Sequence, residues 1–214
     1  DEESMIPEEY LDHVIETYTQ GKFEQEVRKA RSDFFQMTGT AFEEDPFYEE
    51  RLDLFLEWYI FTRPLVAYDL PPVKLFYLEK EKELSDEERA VYHGFTQNLH
   101  SLYQLKKVRG DNLVLEDLFT GKQVTVVEKK SMMTVGDVFE ARLVPYHGTY
   151  YFGKGFCFHP PQTKSFIVKC INKIKHLDED FKNKLLLDLA QMKLKHDRYP
   201  HIDVKYIYSF EARI

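Results

Sequence analysis

The feature that most constrains this chain is a change in the spacing of its apolar residues near Leu102. Before that point they recur about every four residues, the repeat of one helix face; after it they recur every second residue, the repeat of one face of a strand. The helical repeat returns after Pro160-Pro161. This order of repeats predicts an α+β fold: an N-terminal helical unit, a central five-stranded antiparallel small barrel or meander, and a C-terminal helical hairpin. The expected divisions are residues 1–62, 63–101, 102–160 and 161–214, which can equally pack as one compact domain.

The N-terminal part reads as three helices. Pro7 to Gln20 carries Tyr10, Val14 and Tyr18 with Leu11 and Ile15 beside them. Lys22 to Thr38 carries Phe23, Val27, Ala30 and Phe34, and Gly39 ends it. Asp45-Pro46 opens the third, with Leu52, Phe55, Leu56, Tyr59 and Ile60 inward and Pro64 as the stop. A proline-bearing connection over 62–72 leads to a short helix at Val73–Lys82. Ser85-Asp86-Glu87-Glu88 then matches a capping box, in which Ser85 bonds the amide three residues on and Glu88 reaches back.

In the strand region Tyr103 and Leu105, Leu113 and Leu115, Val124 and Val126, and Phe139, Ala141 and Leu143 mark four strands. Glu140 and Arg142 alternate with the last set and are expected to face outward. Tyr150, Phe152, Phe156 and Phe158 share a face in a fifth strand, and Gly153 and Gly155 suit a bend that helps closure. An OB-fold places a helix between strands three and four. Lys129 to Asp137 is too short for a substantial one, which favours a plain meander. Downstream, Phe166, Ile167, Cys170, Ile171 and Ile174 form one helical stripe. Asp178 caps another helix, with Phe181, Leu185, Leu186, Leu189 and Met192 inward. Ile202, Val204, Tyr206 and Tyr208 alternate like a final edge strand.

Charge is unevenly distributed over the 214 residues, whose net charge is −8. Residues 1–62 carry 17 acids against 5 bases, whereas residues 162–200 carry 9 bases against 5 acids, so the two ends are set to attract each other. The acidic N-terminal third does not suit a polyanion. A 15% aromatic share supplies rings for a core, and no run has the roughly 18 to 20 apolar residues of a membrane span. Asp1-Glu2-Glu3-Ser4 is the opposite of a signal peptide, and Cys157 and Cys170 read as small buried residues. A cytoplasmic setting without a membrane is therefore expected.

No motif converges on a chemistry. Arg109-Gly110-Asp111 belongs to a hairpin turn rather than to an adhesion signal. Cys157 with His159, Glu9 with His13 and Glu16, and His196 with His201 and Asp203 are loose groups without zinc spacing, so no metal and no cofactor is expected. There is no Gly-x-Ser-x-Gly elbow and no Gly-rich phosphate loop, and catalytic residues are not legible. Small barrels do bind single strands through basic grooves and stacking aromatics. Lys106, Lys107, Arg109, Lys122, Lys129 and Lys130 fall near turns or on polar strand positions, with Tyr103, Tyr146 or Tyr151 as stacking candidates. The same lysines can instead guard exposed strand edges.

Several stretches carry a resemblance. They are Arg63-Pro64-Leu65 after an aromatic-rich helix, Leu84-Ser85-x-x-Glu88-Arg89, Leu115-x-Asp117-Leu118-x-Thr120-Gly121, and Val135-Gly136-Asp137-x-x-x-Ala141-Arg142-Leu143-Val144-Pro145. Over about residues 45–160 the chain resembles a group of uncharacterised bacterial proteins, some of which carry a Cys-rich, zinc-binding SEC-C tail. This chain shows no such tail, so zinc is not carried over, and the resemblance implies no activity or site residues. The expectation is a non-enzymatic binding or scaffold protein whose partner is another protein. Two alternatives stand beside it: nucleic-acid binding through the barrel, and an enzyme with its site between the N-terminal helices and the barrel.

Overall fold

The computed structural model of the protein describes residues 8–129 and 131–211. Helices α1 (Glu8–Thr19), α2 (Glu24–Thr38) and α3 (Tyr48–Glu57) follow the expected apolar stripes, burying Leu11, Val14 and Tyr18, then Ala30 and Phe34, then Leu54 and Phe55. The last turn of α3 widens into a π-turn over Trp58–Thr62, where Arg63 N donates to Trp58 O, and Pro64 prevents its continuation. Helix α4 (Pro72–Lys80) follows. Helix α5 (Asp86–Thr96) opens on Ser85, and both hydrogen bonds of the capping box are present. Pro7 lies outside the described residues.

The barrel begins at Leu99, three residues earlier than the spacing suggested. Its strands are β1 (Leu99–Arg109), β2 (Asn112–Asp117), β3 (Gln123–Val127), β4 (Val138–Tyr146) and β5 (Thr149–Phe152), with a short β6 (Cys157–His159) added on β4. Strands β1, β2 and β3 form a meander, but β3 then pairs with β5 in parallel, β5 with β4, and β4 closes back on β1. The barrel is therefore closed and mixed, in the order 1-2-3-5-4-1. That is a Greek-key order of the OB type, not a plain meander. No helix stands between β3 and β4 among the described residues, as the short connection required; the missing helix simply does not decide the strand order. The single expected fifth strand is two strands, separated by Gly153-Lys154-Gly155-Phe156.

Three apolar clusters hold the molecule. Leu105, Leu113, Leu115, Val126, Phe139 and Leu143 fill the barrel, all fully buried. The N-terminal helices pack around Phe34, Phe55, Tyr59 and Phe95 and reach Val144 and Tyr146 on the outer face of β4. Helices α6 (Lys164–Ile174) and α7 (Glu179–Arg198) form the C-terminal hairpin and cover Leu102 and Val138 on the outer faces of β1 and β4. Asp178 caps α7 as expected, accepting from Asp180 N, but Phe181 is 48% exposed rather than inward. Residues Val204–Ile207 form a short helix, α8, capped by Asp203, in place of the expected edge strand. Cys157 and Cys170 are both buried and free.

Candidate functional site

Strands β1 and β4 lie under the helices, so their outward-facing residues are shut away from water. Glu140 and Arg142, expected on a solvated face, are buried beneath α3 and α7. Sheet register sets His100 directly opposite Arg142, and Leu102 opposite Glu140. The His100 Nε2 and Glu140 Oε2 atoms are 2.7 Å apart, with both side chains largely shielded. Burial pushes the Glu140 carboxyl up to about 7, and burial with the charges of Arg142 and Lys182 holds His100 well below the ordinary imidazole range.

Glu57 reaches this layer from the end of α3. One carboxylate oxygen accepts from Lys154 N. A Cβ at position 153 or 155 would overlap that carboxylate, so these glycines admit a close approach of backbone to side chain. The other carboxylate oxygen stands 3.7 Å from Arg142 Nε, and neither atom has a hydrogen-bond partner among the described residues. Arg142 also donates to Thr62 Oγ1 of the π-turn and stacks its guanidinium over Phe61 at 5.3 Å. A second buried arginine, Arg51, donates to Thr38 O at the end of α2 and to Ala190 O of α7, fastening three helices.

This polar layer opens into a cleft of about 460 Å³ where the helices meet one end of the barrel. Arg142, His100, Ser101, Tyr103 and Asp117 line its barrel side, Thr62 and Lys74 its N-terminal helical side, and Lys182 and Asn183 of α7 the remaining wall. Among the described residues two acids line it, and only Asp117 is hydrogen-bonded. Asp117 accepts from Ser101 Oγ at 2.7 Å and from Phe119 N at 2.9 Å, while Glu179 lies 3.9 Å from Lys182. Behind His100 and Glu140 lies an internal cavity of about 10 Å³, on the scale of one water molecule. A separate groove of about 270 Å³ runs past Phe47, Phe156, Cys157 and Phe158 and is mainly apolar. Burial pushes the Cys157 thiol up to about 12, which keeps it protonated at neutral pH.

The structure gathers some of the candidate nucleic-acid residues and not others. Lys106, Lys107, Arg109 and Lys129 are exposed toward the β1–β2 turn, where Glu128 N donates to Asp111 O. Lys122 sits at the opposite end of β2, in the β2–β3 turn, and Lys130 lies outside the described residues. Lys106 is 3.4 Å from Glu116. Tyr103 is fully buried against Phe139 in the barrel, and Tyr146 is buried too, so neither ring is available to stack on a base. Among the described residues no group of three or more His, Cys, Asp or Glu side chains is placed to hold a metal ion. His159 instead meets the Tyr208 hydroxyl through Nδ1 at 2.7 Å. No described helix is long and apolar enough to cross a membrane.

Residues 13–185 match the model of a family of unknown function, DUF7986. The chain belongs to that family. No curated protein and no solved structure matches the chain. For this DUF7986 member, the buried ionic layer behind the cleft escapes a reading of spacing alone, although one signal is present. Arg51 and Glu57 share the apolar stripe of α3 with Leu54, and a charge on a buried stripe marks a paired, interior ion.

Proposed function

We propose that this protein binds a small anionic molecule in the cleft between its helices and its barrel. One observation carries the reading: Arg142, whose side chain is only 3% exposed, forms part of the wall of a polar cleft large enough for a small ligand. A buried guanidinium with an unpartnered Nε is costly unless something compensates it, and Glu57 at 3.7 Å does so only in part. Lys74 and Lys182 add positive charge, and Thr62, Asn98 and Asn183 add polar contacts. Three cations, Lys74, Arg142 and Lys182, face two acids, of which Asp117 is taken up by Ser101 and Phe119 N, so the balance favours an anion.

The test is calorimetric titration with inorganic sulfate, inorganic phosphate, a phosphate monoester and citrate, on the full chain and on Lys182→Gln. Saturable binding of at least one anion, weakened about 3- to 10-fold by the substitution, is expected, as fits loss of one partly solvated charge contact. Failure of every probe to bind, or equal binding by the variant, refutes the cleft as the site.

A second reading, single-stranded nucleic acid on the barrel, is supported by the exposed Lys106, Lys107, Arg109 and Lys129 near one turn. It requires an oligonucleotide mobility shift that fades steeply with salt, and the absence of any shift at low salt removes it. A protein partner would find exposed rings at Phe47 and Phe158, but no charge pattern there selects one.

A further inference from the structure

The His100–Glu140 pair gives the cleft a property beyond holding an anion. We infer that anion binding is coupled to uptake of one proton by this pair, and that the site therefore prefers a doubly charged phosphoryl group, as in a phosphate monoester. The inference rests on the cleft reading above.

The geometry carries it. His100 lines the cleft, while its Nε2 is committed to Glu140 at 2.7 Å; among the described residues Nδ1 has no hydrogen-bond partner. Arg142 stands directly across the β1–β4 ladder from His100, on the same outer face of the barrel. The charges facing the pair come from several elements, among them Arg142, Arg51 and Glu57 around Glu140. Helix α7 presents Lys182 with Glu179 beside it, α4 presents Lys74, and α3 presents Glu57, which faces Arg142. On the barrel side Asp117 is committed to Ser101, and the Tyr103 hydroxyl is turned to Leu99 O at 3.3 Å.

In the empty cleft Arg142 and Lys182 oppose a charge on the imidazole, and burial opposes it further. The same burial disfavours ionisation of Glu140. The pair is thus poised to change its proton content with the field around it. An anion seated on Arg142 and Lys182 cancels the repulsion and adds an attraction of its own, so the pair gains a proton from solvent. No ligand bond forms or breaks; one proton leaves the buffer and resides on the pair. With its added proton the pair is net neutral and no longer opposes a negative ligand. Arg142 and Lys182 then offer two positive charges, which a dianion meets and a single negative charge meets only in half.

The experiment is titration calorimetry of sulfate and of glycerol phosphate at pH 7.5, in two buffers of small and large ionisation enthalpy. Sulfate stays a dianion there, so any proton taken up with it belongs to the protein. The expected result is an uptake of between about half and one proton, with affinity rising up to about tenfold from pH 8 to pH 7. The wild-type buffer comparison decides the matter without a variant. Joint replacement H100Q with E140Q keeps a hydrogen-bonding amide at each position. It should weaken binding, abolish the uptake and flatten the pH dependence, whereas K182Q should weaken binding and keep the uptake.

Binding with no buffer-dependent heat overturns the coupling and leaves the cleft reading standing. So does uptake that survives in a folded double variant, because the proton then resides elsewhere. Acetate binding as tightly as sulfate overturns the preference for a dianion. Failure of both dianions to bind overturns the inference, and the other anions then decide the cleft reading separately.

Discussion

At the scale of single residues, the buried ionisable groups set the pH behaviour of the fold. Burial raises Glu140 from the ordinary carboxylate range to about 7, so the folded protein holds this proton where the unfolded chain has released it. The stability this group contributes is full at acid pH and is lost as pH rises through the window up to about 7. His100, lowered by burial and by Arg142, slopes the other way: its contribution is present above the ordinary imidazole range and is lost as pH falls. Glu140→Gln removes the first slope and leaves the second. Urea unfolding at pH 5 and pH 8 should show the variant gaining about 2–3 kcal/mol on the wild type between the two. A constant difference at both values would mean that Glu140 titrates normally in the fold. Little of this was legible in sequence. Alternation placed Glu140 and Arg142 correctly on the face opposite Phe139 and Leu143, but alternation says only which side of a strand a residue takes. Whether water or a helix waits on that side depends on packing between segments far apart in the chain.

At the scale of elements, local signals were read well and long-range pairing was not. Ser85 and Glu88 form their capping box because both partners lie within four residues of each other. Gly110 takes a positive φ of 57° in the first hairpin turn, as Gly between two alternating runs requires. The order of strands β3, β5 and β4 has no comparable local mark. Ile202 to Tyr208 failed for a related reason. Its alternation of large residues fits a strand, yet Asp203 supplies a helix cap and Ile207 packs in the cluster under α6 and α7. Tyr208 fixes the choice, because its hydroxyl meets buried His159, whose Nε2 has no partner among the described residues. Tyr208→Phe leaves His159 without that bond as well, and should cost about 1–3 kcal/mol in urea unfolding. An unchanged midpoint would mean that α8 is not docked there in solution.

At the scale of the whole molecule, the unequal charge of the two ends becomes a contact between them. The acidic N-terminal third meets the basic C-terminal helix at Asp45, which accepts from Arg198 Nε at 2.8 Å and Nη2 at 2.7 Å. Arg198 also donates to Thr40 O, and Asp45 accepts from Phe42 N at 2.7 Å, so the pair pins the loop before α3 to the end of α7. The sequence reading anticipated the attraction but gave Asp45 to the start of a helix, since spacing alone cannot name the partner of a charge 153 residues away. Hydrogen bonds from Arg198 hold the Asp45 carboxyl down to about 2. A depressed carboxyl contributes stability that is complete above its unfolded value and is lost as pH falls toward the folded one. Asp45→Asn should therefore destabilise the fold at pH 7 by about 1–2 kcal/mol, a figure reduced for the partial solvent exposure of Arg198. Near pH 2, where the wild-type carboxyl is itself taking up its proton, the difference should shrink. Urea midpoints of both proteins at pH 7 and at the lowest pH where each still folds measure this directly. An equal loss at the two values would mean that shape at position 45, and not its charge, joins the two ends of the chain.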